Sequence, residues 1–160
     1  MNISMIVAHG KNREIGRNNQ LLWYIPEELK TFRTVTQGNI LVMGRSTWES
    51  INKPLPNREI FVLTNQTIES NYPSVQFGNT EQLEEYFQTV PADKQVFIAG
   101  GEQIYRLFLH DPRLAELYVS EIPAEFADAD AFFPSFDEAL FEKSVFKESN
   151  EFTTYLYKRK

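Results

Sequence analysis

Three short segments hold residues whose types and spacing could do chemistry. The first is Gly44-Arg45-Ser46-Thr47-Trp48, which follows the apolar run Ile40-Leu41-Val42-Met43. A strand that ends in glycine and runs into hydroxyls at a helix start leaves backbone N–H groups and a positive dipole end free for an anion such as phosphate. Arg45 adds a cation. The same residues also read as an ordinary helix start with Ser46 or Thr47 as its N-cap. The second segment is Gly100-Gly101-Glu102-Gln103-Ile104-Tyr105, placed after Val96-Phe97-Ile98-Ala99 and again opening a helix. Adjacent glycines let a backbone come close to a ligand or take dihedrals barred to other residues. Two such turns in one small chain suit a dinucleotide, whose diphosphate and further phosphate each want an electropositive helix end. Neither turn fits G-x-G-x-x-G or the P-loop, so ordinary Rossmann and nucleotide triphosphatase readings are poor.

The third segment runs from Trp23 through Pro26, Glu27, Glu28 and Leu29 to Phe32. Proline suits the first helical position, and from there Glu28, Phe32 and Val35 share one stripe with Leu29 beside it. A carboxylate on an apolar stripe is costly to bury alone, so it should meet a cation or several hydrogen-bond donors. The plainer alternative is that both glutamates only favour the positive helix start.

Other chemistries find little support. The chain has no cysteine, which excludes disulfides, thiolate metal sites and cysteine nucleophiles. His9 and His110 are the only histidines, and neither H-E-x-x-H nor G-x-S-x-G occurs. Asp128-Ala129-Asp130 lacks the central glycine and closing glutamate of a calcium loop, and reads as a solvated turn. A net charge of −6 argues against nucleic acid, which is bound mainly through clustered Lys and Arg. No apolar run reaches membrane-spanning length, and the start lacks the pattern of a signal peptide. A reducing cytoplasm fits these features.

The elements that must position these residues follow from hydrophobic patterning. At 160 residues the chain suits one domain spanning 1–160, with 42% hydrophobic, 24% charged and 14% aromatic residues. Short β-branched runs alternate with helical patterns, the form of an α/β domain with a largely parallel sheet. Strands are predicted at 3–8, 40–43, 60–64, 75–77, 96–99, 117–122, 141–148 and 153–158, and helices at 26–35, 47–51, 80–88 and 102–109. The last two strands have no helix between them and should form an antiparallel hairpin around Asn150-Glu151 that finishes one sheet edge.

In this order and spacing the motifs resemble dihydrofolate reductase across nearly the whole chain. The resemblance rests on Ile15-Gly16, Trp23-x-x-Pro26-x-Glu28-Leu29-x-x-Phe32, Met43-Gly44-Arg45-x-Thr47-Trp48-Glu49-Ser50-Ile51, Pro54-Leu55-Pro56-x-Arg58, Gly100-Gly101-x-Gln103-Ile104-Tyr105 and Phe133-Pro134. It implies a doubly wound, mostly parallel eight-stranded sheet with an antiparallel C-terminal strand, about four helices, and NADPH as cofactor. It also implies a reaction in which a hydride passes to pterin C6 and a proton to N5, in a monomer without nucleic-acid partners.

The resemblance further assigns Glu28 to the 2-amino group and N3 of the pterin, with Ser120 as its partner where threonine is usual. Trp23 would hold an ordered water beside that carboxylate. Ile6, Val7, Ala8, Leu29, Phe32, Ser50, Ile51 and Leu55 would line the substrate cleft. Arg58 would hold the α-carboxylate of the substrate tail, although by itself it reads as a surface charge after a turn. On the cofactor side the resemblance implies Ala8, Ile15, Gly16, Leu21, Gly44, Arg45, Ser46 and Thr47. Leu63, Thr64, Asn65, Ala99, Gly100, Gly101, Glu102, Gln103, Ile104 and Tyr105 would complete that set, with the Gly100-Gly101 peptide cis.

Residues Gly16 to Leu22 match a mobile loop that closes over the nicotinamide, and Asp130 matches the acidic residue that steadies it. Several positions depart from the family pattern. Leu22 replaces a proline, Ala129 and Ala131 replace the glycine and threonine beside Asp130, and Asn65 stands where a small or basic residue often helps hold the 2′-phosphate. The departures bear on loop stiffness, on the loop-to-loop contact and on preference for NADPH over NADH. Two other readings remain open from the sequence: a reductase of the same fold acting on another substrate, and a non-catalytic dinucleotide-binding module.

Overall fold

Alternation along the first strand divides the molecule. In β1 (Ile3–His9), Ile3, Met5 and Val7 face one core, while Ile6 faces the other. Because successive side chains of a strand point to opposite faces, a central strand that is apolar at every second position on both sides must be covered twice. The computed structural model describes all residues from 1 to 160 and shows that double cover.

An eight-stranded sheet has the order β5-β4-β3-β6-β1-β7-β10-β9. Its strands are β1, β3 (Ile40–Gly44), β4 (Glu59–Leu63), β5 (Val75–Gly78), β6 (Val96–Ile98), β7 (Leu114–Glu121), β9 (Phe141–Glu148) and β10 (Thr153–Arg159). Every pairing from β5 to β7 is parallel, whereas β10 lies antiparallel to both β7 and β9. Helices α1 (Pro26–Thr36) and α2 (Arg45–Ile51) cover one face through Phe32, Val35, Trp48 and Ile51. Helices α3 (Thr80–Phe87) and α4 (Glu102–Phe108) cover the other through Leu83, Phe87, Tyr105 and Phe108. The start of α3 is fixed by a reciprocal capping box between Asn79 and Gln82.

The eight strands of the main sheet, the four helices and the closing hairpin fall where the patterning places them, within a few residues. Two features were not foreseen. A second, two-stranded sheet pairs β2 (Glu14–Gly16) with β8 (Ala131–Phe132), and a single 3-10 turn spans Glu138–Leu140. Strands this short lie below the length at which alternation can be read. The small sheet matters because it joins the root of the Gly16 to Leu22 segment to the segment that carries Asp130.

Candidate active site

In open parallel sheets, ligands gather beyond the carboxyl ends of strands where the strand order reverses. Here β6 is inserted between β1 and β3, and the carboxyl ends of these strands carry Ala8, Gly44 and Ala99. Register sets Gly44 of β3 opposite Leu63 of β4, and Val42 opposite Ile98 of β6. The two glycine turns therefore meet at one end of the sheet. Gly44 donates its N–H to the Gly100 carbonyl at 2.9 Å.

Both helix starts are open to a ligand. Gly44 and Gly101 are the N-cap residues of α2 and α4, and neither start has a side-chain cap. The alternative with Ser46 or Thr47 as N-cap is thereby set aside, since α2 begins one residue before Ser46. Gly100 has φ +117, a conformation that only glycine takes without strain, and the Gly100-Gly101 peptide is cis. Open donors, a close backbone and Thr47 Oγ1 at 3.3 Å from where a Gly101 Cβ would sit together make a surface that fits a diphosphate.

Arg45 is already engaged. Its Nε donates to Glu49 Oε1 at 2.7 Å, and its Nη1 donates to Gln66. Neither partner was foreseen: Glu49 lies one turn along α2 from Arg45, a spacing that could have revealed it, whereas Gln66 depends on where β4 leaves the sheet beside α2. Thr64 Oγ1 accepts the Gln66 N–H at 3.2 Å, while Asn65 is exposed with no side-chain bond. On α4, Glu102 accepts the Phe132 N–H at 2.7 Å and pairs with Arg106 at 3.0 Å, leaving Gln103 exposed. Ile104, Ile15 and Leu63 pack against the larger core, and Leu21 is exposed on the loop.

The substrate side forms on the opposite flank of β1. Ile6, Phe32, Ile51 and Leu55 belong to one apolar cluster, with Leu29 36% exposed on the α1 surface. Strand alternation turns the Val7 side chain into the core beneath α3 and α4, so it is the Val7 main chain that can border the cleft. Ser50 is exposed, and its hydroxyl donates to the Thr47 carbonyl at 2.7 Å.

Glu28 lies in the first turn of α1 and is 9% exposed. It forms no ion pair and accepts no hydrogen bond from the protein, so burial pushes its carboxyl above the usual carboxylate range. The indole N–H of Trp23 lies near enough to pull in the opposite direction, yet Trp23 Nε1 is buried with no acceptor within bonding distance. The expected pairing of Glu28 with Ser120 is not formed. Ser120 on β7 is directly opposite Thr154 on β10, and their hydroxyls are 2.7 Å apart. Tyr105 is buried and donates to the Ile6 carbonyl of β1 at 2.8 Å; burial and the nearby Glu28 charge push its phenol far up.

Arg58 is not a surface charge. It is 6% exposed, donating from Nε to the Pro56 carbonyl at 3.0 Å and from Nη1 to Thr36 Oγ1 at 3.3 Å. No carboxylate of the protein pairs with it, so its charge is available to an acidic ligand. Burial, then the neighbouring Arg33, lowers its pKa, but a guanidinium stays charged.

The loop contact survives the two alanines. Asn18 donates its N–H to Asp130 Oδ2 at 3.0 Å, and Asp130 donates its own N–H to the Gly16 carbonyl at 3.0 Å. Ala129 and Ala131 do not interfere because both bonds use main-chain groups and the Asp130 side chain. The tip is a tight hairpin in which Arg17 and Gln20 exchange two hydrogen bonds around Asn18 and Asn19, both at positive φ.

Comparison with known proteins agrees with this architecture. The family model described as dihydrofolate reductase matches residues 2–159. Dihydrofolate reductase of Staphylococcus haemolyticus is 34% identical over 162 residues, covering 98% of this chain and 94% of that protein. The Bacillus subtilis (strain 168) dihydrofolate reductase is 37% identical over 86% of this chain and 78% of its own length. Dihydrofolate reductase type A13 of Escherichia coli is 38% identical over 88% of this chain and 82% of that protein. With its two uncapped glycine turns meeting at one end of the sheet, its unpaired Glu28 carboxylate and these matches across nearly the whole chain, this chain belongs to the dihydrofolate reductase family.

Proposed function

We propose that this chain reduces 7,8-dihydrofolate to 5,6,7,8-tetrahydrofolate with NADPH in the cleft between β1, α1 and the Gly16 to Leu22 loop. The observation that carries the site assignment is a largely buried carboxylate with no ion-pair partner, Glu28, close to a buried indole N–H that has no acceptor, Trp23. A pterin edge with a 2-amino group and N3 offers donors to the first, and an ordered water suits the second.

Bound NADPH supplies the hydride that reaches pterin C6. The protein holds the two rings together, excludes bulk water and biases the pterin. Glu28 orients and polarises the ring from the edge remote from N5, so the N5 proton arrives through water. Trp23 would place that water, while the Ser120 hydroxyl is held by Thr154. Ile6, Phe32, Ile51 and Leu55 enclose the pterin and the ring that follows it, and Arg58 takes the tail carboxylate. The open starts of α2 and α4 hold the phosphates, with Arg45 at the 2′-phosphate. The main chain of β1 at Val7 and Ala8 borders the nicotinamide.

We read residues 1–160 as one domain acting as a monomer in the cytoplasm without nucleic-acid partners. Support comes from a site built within one chain, a net charge of −6, and the lack of any helix long and apolar enough to cross a membrane. The decisive assay follows NADPH absorbance after dihydrofolate is added to the purified chain, with NADH in parallel. Oxidation that needs both compounds supports the reading; retained NADPH binding without oxidation would favour a binding module or another substrate.

A further inference from the structure

Two carboxylates are buried in this protein, and the substrate accounts for only one of them. Glu14, on β2, is 2% exposed and pairs with no lysine or arginine. Its oxygens instead accept two main-chain N–H groups at 2.6 Å, Asn12 on Oε1 and Phe126 on Oε2. Burial alone would raise its pKa, but the main-chain donors outweigh burial and hold the carboxyl below its ordinary value. Glu14 is therefore an ionised clamp between the root of the Gly16 to Leu22 loop and a segment 112 residues away.

The clamp is tightly packed. A Cβ on Gly10 would sit 2.7 Å from the Phe126 ring, 2.8 Å from Glu14 Oε1 and 2.9 Å from the Ala124 carbonyl. The Phe126 ring lies against Trp23, with ring centroids 5.4 Å apart and planes at 48°. Trp23 and Phe126 both pack on the small cluster of Ile25, Ile122 and Phe152, and the Trp23 N–H faces Glu28. An apolar side chain could fill the Glu14 position without desolvating a charge, but only an acceptor can hold these two N–H groups in place.

We propose that Glu14 is a positioning residue for the reduction: its carboxylate fixes the Phe126 main chain, and the Phe126 ring then holds the Trp23 indole beside Glu28. The proposal rests on the cleft assignment above and adds a residue that touches neither substrate nor cofactor.

The test uses the full chain carrying Trp48→Phe, which leaves Trp23 as its only tryptophan. Into this parent go Glu14→Ala, Glu14→Gln and Phe126→Leu. Trp23 emission is read without ligands, hydride transfer is read in single turnovers, and NADPH affinity and the KM for dihydrofolate are measured separately. Glu14→Ala is expected to change Trp23 emission, raise the KM for dihydrofolate and slow hydride transfer about tenfold or more, the scale of a small misplacement in a reacting pair. NADPH affinity should fall less than the affinity for dihydrofolate. Glu14→Gln should recover part of the rate, because its amide oxygen still accepts one N–H. A folded Glu14→Ala protein with parental emission and rate overturns the proposal. Should that variant not fold, Phe126→Leu decides, since unchanged emission and rate there break the same path. A parent that fails to oxidise NADPH with dihydrofolate refutes the cleft assignment instead, and the emission readout still tests the clamp.

Discussion

Ser120 and Thr154 face each other across β7 and β10 with their hydroxyl oxygens 2.7 Å apart, both buried. Thr154→Val would leave the Ser120 hydroxyl enclosed without a partner, at a cost of about 1–3 kcal/mol. Combining it with Ser120→Ala should cost less than the sum of the single changes. Urea unfolding of the four proteins gives the coupling directly, and strictly additive costs would show that the two hydroxyls act independently.

Glu28 links stability to pH with a definite sign. Its folded-state pKa is raised above the ordinary 4.5, so the fold favours the protonated acid. The stability contributed by that protonation is present below the unfolded-state value and is lost as pH rises through the folded-state value. The ligand-free protein should therefore gain stability from Glu28→Gln, and the gain should grow between acid and neutral pH. The same variant should lose most of its hydride-transfer rate at neutral pH while NADPH affinity stays nearly unchanged. An unaltered rate would remove Glu28 from the mechanism.

Asp130 holds the entry loop through a single side-chain acceptor for the Asn18 N–H. Asp130→Ala removes that acceptor but keeps the main-chain bond to Gly16, so closure should weaken rather than disappear. Hydride transfer is expected to slow by about tenfold, the equivalent of one lost charge-assisted hydrogen bond. Asp130→Asn should be milder, because its amide oxygen can still accept. Stopped-flow single turnovers separate this step from product release.

Arg45 shares its charge with Glu49. A cofactor phosphate must compete with that carboxylate, so Glu49→Gln should raise the preference for NADPH over NADH. The pair is solvent-accessible and worth about 1 kcal/mol or less, which limits the gain to about fivefold. Arg45→Leu should move the ratio the other way. Dissociation constants for both cofactors at two salt concentrations would test this, since the effect should shrink as salt rises.

Strands such as Ile40–Gly44 and Val96–Ile98 were legible because β-branched apolar runs bounded by glycine have few other uses. Glu28 was legible because Pro26 set the helix phase and placed a carboxylate on the stripe of Phe32 and Val35. Glu14 was not. It follows Arg13 in a polar stretch, and its acceptor role depends on the Phe126 N–H brought in by tertiary folding. Arg58 likewise reads as a surface charge until Thr36 and the Pro56 carbonyl close around it. Local pattern reveals elements and faces, but it cannot reveal bonds between loops far apart in the chain.

The hydrogen bond from Gly44 to Gly100 joins the two glycine turns into one body. On the proposed assignment, a dinucleotide landing there would meet a mould already set, and its capture would need little loss of chain freedom. The entry loop is held differently, by a few bonds to Asp130 and the two short strands β2 and β8. The two glycine turns thus share one rigid frame, whereas the loop between β2 and α1 hangs from a handful of bonds that can break without disturbing that frame.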